Sequence, residues 1–118
     1  MPSSDLAQIE MVMMDYFVGL HHADVARLDR IFDSRAQLQA PGIRRSKQEW
    51  LAMVASRAVP SERGDVFAYR LLAIDLAGDQ AVARVRCPLL GRDYIDFLSL
   101  LKERGHWRIV NKMYADTL

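Results

Sequence analysis

The stretch that most constrains the fold runs from Tyr94 to Met113, YIDFLSLLKERGHWRIVNKM. Two apolar segments rich in strand-forming residues flank Glu103-Arg104-Gly105-His106, and a glycine between two such segments predicts a β-hairpin. A loop with an even number of residues sets Lys102 opposite Trp107. The ladder then pairs Leu100 with Ile109, Leu98 with Asn111 and Asp96 with Met113. Successive side chains of a strand point to opposite faces, so these pairs share one face, apolar except for Asp96 and Asn111.

Two more turns extend the pattern. A two-residue loop at Gly78-Asp79 sets Leu72 opposite Val85 and Ile74 opposite Ala83. A two-residue loop at Gly91-Arg92 sets Cys87 opposite Asp96 and Val85 opposite Leu98. All three registers put Leu72, Ile74, Ala83, Val85, Cys87, Asp96, Leu98, Leu100, Trp107, Ile109 and Asn111 on one face. A one-residue slip would turn a whole strand over, so this agreement supports the register. The opposite face carries Asp75, Arg84, Arg86, Phe97, Ser99, Leu101, Val110, Lys112 and Tyr114. Its apolar members are costly to leave wet and mark an interface.

The first half of the chain reads as helical. Ser3-Ser4-Asp5 supplies an N-cap, followed by Leu6, Ile9, Met13, Phe17 and Leu20 at helical spacing, with Tyr16 at the stripe's edge. Gly19 and His21-His22-Ala23 end this helix. Asp24 caps a second, carrying Val25, Leu28, Ile31 and Phe32, which stops at Asp33-Ser34-Arg35. Gln37 to Ala40 alternates as a short strand, and Pro41-Gly42 turns the chain. Ser46-Lys47-Gln48-Glu49 fits a capping box ahead of Trp50, Leu51 and Val54 on a third helix. Val59 to Val66 is a loop marked by Pro60 and Gly64. Helices followed by an antiparallel meander give an α+β fold with the helices on one face of the sheet.

Composition excludes several function classes. With 118 residues, 51% of them hydrophobic, one domain spanning 1–118 with one core is expected. A net charge of +1 argues against a nucleic-acid partner, which calls for a basic excess. No apolar run reaches membrane-spanning length, and MPSSDLAQIE lacks the basic and apolar regions of a signal peptide, so a cytoplasmic protein with no membrane partner is expected. The single Cys87 excludes an intramolecular disulfide and a cysteine-based metal cluster.

Asp96 is the most informative polar residue, since a carboxylate on an apolar face is costly unless paired or protonated. Arg70 lies opposite Cys87 in this register, beside Asp96. Two readings follow: an Arg70–Asp96 pair closing the core, or a general acid–base group in a pocket. Tyr16 reads either as a core-edge tyrosine or as a hydrogen-bond donor into that pocket. His21 and His22 are adjacent and diverge on a helix, which suits a helix end better than a metal site. His106 sits in a turn facing solvent. Cys87 reads as a small apolar filler. No phosphate-binding glycine loop or nucleophile elbow occurs.

The segments DYFVGLHHADVARLDRIF, SKQEWLAMV and RDYIDFLSLLKERGHWRIVNKMY together resemble the nuclear transport factor 2-like superfamily. Within it they are most similar to the group called putative lumazine-binding proteins, related to the polyketide-cyclase-like (SnoaL-like) proteins. The specific pieces are the YF-x-GL-x-x-x-D opening and the LSLLK-x-x-G-x-WRIVNK ending. The resemblance implies a cone: a curved antiparallel sheet wrapped around N-terminal helices, with a pocket in its open end and dimerisation through the sheet. Ketosteroid isomerases of this superfamily use a first-helix tyrosine, a base carboxylate on an early strand and a second acid. Tyr16 resembles the first, but the base position falls on Ala40, which argues against isomerase chemistry of that type.

The reading is then a small-molecule-binding protein for an apolar or aromatic ligand, a homodimer with no cofactor. Its pocket is lined by Tyr16, Trp50, Cys87, Asp96, Leu98, Trp107 and Asn111. One alternative is a cyclase- or isomerase-like enzyme with Asp96 and Tyr16 as catalytic groups. Another is an interaction module that works through Phe97, Leu101 and Val110 and has no ligand.

Overall fold

The computed structural model describes residues 4–118. Three helices lie against one face of a six-stranded sheet. The helices are α1 (Asp5–His22), α2 (Val25–Ile31) and α3 (Lys47–Ser56). The strands are β1 (Phe32–Ala40), β2 (Ile43–Ser46), β3 (Arg70–Ala77), β4 (Gln80–Leu89), β5 (Arg92–Glu103) and β6 (His106–Asp116). Their spatial order is β2-β1-β6-β5-β4-β3. All neighbours are antiparallel except β1 and β6, which run parallel, so the sheet is mixed rather than a pure meander.

The local signals act as their chemistry dictates. The Ser4 hydroxyl accepts from the Ala7 N–H and caps α1; Ser3 lies outside the described residues. The Asp24 carboxylate accepts from the Arg27 N–H and caps α2. The capping box forms at α3, with Ser46 and Glu49 each satisfying the other's backbone N–H. Along α1, Ile9, Met13, Tyr16, Phe17 and Leu20 are buried, while Leu6 in the first turn stays half exposed. Gly19 lets α2 approach closely, since a Cβ there would sit 2.5 Å from the Leu28 side chain.

Departures from the sequence reading cluster at strand ends. Phe32 opens β1 instead of closing α2, and Asp33-Ser34-Arg35 continues that strand. Ile43–Ser46 pairs back onto β1 as the short strand β2, which sequence periodicity did not reveal. The β4–β5 loop is Leu90-Gly91, both at positive φ (51° and 80°), in place of Gly91-Arg92. That change moves the pairing by two residues, so Val85 meets Asp96 and every face is preserved.

Two β-bulges matter more, because one inserted residue reverses the faces beyond it. In β3 the pairing shifts at Leu72, leaving Leu72 exposed and setting Arg70 opposite Arg86. Arg70 is solvent-exposed, so the expected Arg70–Asp96 pair does not form. In the β5–β6 hairpin, Lys102–Trp107 and Leu100–Ile109 pair as expected, and then Val110 is extra. Beyond it Ser99 meets Asn111, Leu98 meets Lys112 and Asp96 meets Tyr114. Lys112 and Tyr114 therefore turn toward the helices, and Asn111 and Met113 turn away.

The core lies between the sheet's inner face and the helices. It holds Tyr16, Leu20, Leu28, Phe32, Leu38, Val54, Val85, Leu98, Leu100 and Ile109, among others. Burying an aliphatic side chain of this size contributes about 1.5–3 kcal/mol. No described helix is long and apolar enough to cross a membrane.

Candidate functional site

The site forms where the bulged end of the β5–β6 hairpin faces α1 and α3. Asp96, on β5, is 2% exposed. The Tyr16 hydroxyl, carried on α1, donates to Asp96 Oδ2 at 2.6 Å. That is a short hydroxyl–carboxylate hydrogen bond. Lys112, on β6, is 7% exposed, with Nζ 3.9 Å from the same Oδ2. Its ammonium also stands over three rings: Trp50 at 4.6 Å, Tyr16 at 5.4 Å and Tyr114 at 5.5 Å from their centroids. These contacts partly replace the water that a buried cation loses. Burial nevertheless holds the Lys112 amine below the ordinary lysine value, against the opposing pull of Asp96. Burial, with the Asp96 charge beside it, pushes the Tyr16 phenol well above the usual tyrosine range.

Above this trio lies a partly enclosed cavity of about 80 Å³. Leu38, Leu89, Met53 and Trp50 supply its apolar wall, and Asp96 and Lys112 lie at its base. Tyr94 and Tyr114, edge-to-face at 5.9 Å, form one side. Arg45 of β2 also lines the cavity and donates from Nη1 to the Tyr114 hydroxyl at 2.9 Å. Arg57 caps α3 and lines the cavity as well. Its Nη2 is buried and has no hydrogen-bond partner among the described residues. Burial holds the Arg57 guanidinium below the ordinary arginine value.

The expected pocket residues divide into three groups. Trp50 and Asp96 line the cavity, and Tyr16 reaches it through Asp96. Cys87 and Leu98 are fully buried core residues that do not line it. Burial, chiefly, and then the Asp96 charge raise the Cys87 thiol far above the ordinary value, which makes it inert as a nucleophile. Trp107 and Asn111 lie elsewhere. The Trp107 indole N–H donates to Asp5 Oδ1 at 3.1 Å, and Asn111 Oδ1 accepts from Gln39 Nε2 at 2.7 Å. The bulge at Val110 is the physical reason for Asn111: it exchanges the faces of Asn111 and Lys112.

Sequence reasoning missed Lys112, Tyr114, Arg45 and Arg57. One signal was present for Lys112. A carboxylate fixed on an apolar face requires a cation, and Lys112 is one residue from the position first placed near it. On β1, the residue that reaches the cavity is Leu38 rather than Ala40, and it too is apolar. His21 is buried, with Nδ1 3.0 Å from the Tyr69 hydroxyl, and burial holds its imidazole below the ordinary value. Among the described residues, no three His, Cys, Asp or Glu side chains converge in a way that could hold a metal.

Residues 4–115 match the family described as "Putative lumazine-binding". Among solved structures, the chain is similar to an NTF2-like protein of unknown function from Shewanella baltica. The two are 23% identical, with 99% of each chain covered and a TM-score of 0.83. An NTF2-like protein of unknown function from Silicibacter pomeroyi is 24% identical, with 94% of each chain covered and a TM-score of 0.77. A "putative scytalone dehydratase" from Novosphingobium aromaticivorans is 17% identical, with 97% of this chain and 85% of that one covered and a TM-score of 0.69. At these identities the likeness is one of fold. No curated protein matches the chain.

Proposed function

Given that the chain belongs to the putative lumazine-binding family of the nuclear transport factor 2-like superfamily, we propose that it binds a small, aromatic or largely apolar molecule in the cavity between α3 and the β5–β6 hairpin. The observation that carries this reading is the cavity itself. Apolar and aromatic side chains wall it, and its few polar groups are fixed at the base and rim, the usual make-up of a ligand site. The cavity of about 80 Å³ adjoins the buried lysine and aspartate, which puts charge at the base of an otherwise largely apolar space.

Binding suits the site better than catalysis. A general acid–base residue needs freedom to exchange a proton with its substrate. Asp96 Oδ2 is already engaged by Tyr16 and faces Lys112. The β1 position facing the cavity, Leu38, offers no base. The direct test is a crystal structure of the protein as purified. Non-protein density against Trp50 and above Asp96 supports the proposal. A cavity closed by the Met53 and Leu89 side chains contradicts it.

A specific observation favours a second element of the reading, pairing of two copies through the outer sheet face. Phe97 is 38% exposed there, and Val82 and Met113 are exposed around it. Exposed apolar area costs about 25 cal/mol per Å². Phe97→Glu is expected to convert a dimer to monomer by light scattering. A wild-type protein that is monomeric at high concentration contradicts the pairing.

A further inference from the structure

We propose that the cavity takes a small monocarboxylic acid with a single aromatic ring, and that Arg57 receives its carboxylate. This rests on the small-molecule reading and specifies its ligand class. The argument begins with an unanswered donor. Arg57 lines the cavity, and its buried Nη2 has no acceptor among the described residues, whereas buried charged donors are otherwise hydrogen-bonded. A carboxylate in the cavity would give this guanidinium the anionic partner it lacks.

The charges around the cavity point the same way. Three cations line it, Arg45, Arg57 and Lys112, against the single carboxylate of Asp96. Asp96 is committed to Tyr16 and Lys112. Arg45 spends its Nη1 on the neutral Tyr114 hydroxyl. Neither arginine has a carboxylate partner among the described residues, so the empty cavity is short of negative charge. A guanidinium matches a carboxylate in plane and spacing. With Lys112 set against Asp96 and Arg45 bonded to the Tyr114 hydroxyl, one guanidinium, that of Arg57, is left with a donor unanswered, which calls for one carboxylate. The walls select the remainder of the ligand. Trp50, Tyr94 and Tyr114 line it, and an aromatic lining suits a flat ring. At about 80 Å³ the cavity has room for the head of such a molecule, with the remainder at its open mouth.

The experiment compares benzoate with benzamide, its neutral counterpart of the same shape. A Trp107→Phe background leaves Trp50 as the only indole, and its fluorescence reports occupancy. Benzoate is expected to bind about tenfold or more tighter than benzamide near neutral pH. In Arg57→Gln the benzoate advantage is expected to fall to about twofold or less, through a loss of benzoate affinity larger than that of benzamide. A second measurement needs no variant: benzoate, and not benzamide, shifts the Arg57 Nε–Hε resonance in the wild-type NMR spectrum. Equal affinity for the two probes overturns the carboxylate inference and leaves the small-molecule reading intact. A benzoate preference that survives Arg57→Gln, with no shift at Arg57, overturns the assignment to Arg57. Failure of both probes to bind removes the small-molecule reading and the inference with it.

Discussion

The β5–β6 hairpin carries two versions of one arrangement, a carboxylate shared between a lysine and an aromatic hydrogen-bond donor. At the turn end, Asp5 accepts from Lys102 Nζ at 2.9 Å and from the Trp107 indole at 3.1 Å. At the open end, Asp96 accepts from Tyr16 at 2.6 Å and faces Lys112 at 3.9 Å. The difference is water. The Asp5 and Lys102 side chains are about a third exposed, whereas those of Asp96 and Lys112 are nearly sealed. Solvent screens the first pair, so it does little beyond tacking the start of α1 to the hairpin. The second pair lies in low dielectric, where each charge depends on the other and removing either is costly. The second adjoins the cavity. The same residue types thus give a surface clasp at one end of the hairpin and the charged base of a cavity at the other.

The largest test of this contrast is Asp96→Ala. It leaves Lys112 buried without its carboxylate, and a loss of about 3–5 kcal/mol is expected in urea unfolding. Pairing it with Lys112→Met is expected to lose much less than the two single losses combined, because the stranded charge is gone. Additive losses would mean that Asp96 and Lys112 are not coupled.

Tyr16→Phe comes next, with an expected loss of about 1–3 kcal/mol for a buried carboxylate deprived of its donor. It also carries a pH signature. The folded state keeps the Tyr16 proton above the pH at which the unfolded chain releases it. The stability Tyr16 contributes is therefore complete below the ordinary value of 10.0 and declines as pH rises beyond it. The difference in unfolding midpoint between wild type and Tyr16→Phe is expected to narrow above that pH. A constant difference would place the Tyr16 effect in packing alone.

The smallest effect is expected for Asp5→Asn. Hydrogen bonds from Lys102 and then Trp107 hold the Asp5 carboxyl below its ordinary value of 3.8. Its contribution is present above that value and is lost as pH falls through the lower folded value. Added salt is expected to erase the difference between wild type and Asp5→Asn, while leaving that of Asp96→Ala nearly unchanged. Equal salt sensitivity at the two ends would contradict the contrast.

The two ends also differ in how legible they were. Lys102–Trp107 and Leu100–Ile109 follow from the Arg104-Gly105 turn and from strand alternation, both local rules. The caps at Ser4, Asp24 and Ser46 were legible for the same reason. The open end depends on the bulge at Val110, and nothing in the order of Ile109, Val110 and Asn111 marks which residue is extra. Its outcome is tertiary: the bulge that turns Asn111 outward brings Lys112 to the buried Asp96. Arg45 and Arg57 were illegible for a related reason. They sit on the short strand β2 and just past α3, where periodicity is too brief to assign a face. Asp96 stood out because a carboxylate amid Leu98, Leu100 and Val85 breaks the apolar pattern, and it is among the residues lining the cavity.

The claim that the open end is the binding end is tested most directly by titrating benzamide into two single-tryptophan proteins. Trp107→Phe retains Trp50 at the cavity, and Trp50→Phe retains Trp107 beside Asp5. The account predicts a saturable fluorescence change in Trp107→Phe and none in Trp50→Phe. A saturable change confined to Trp50→Phe, or no change in either protein, would contradict it.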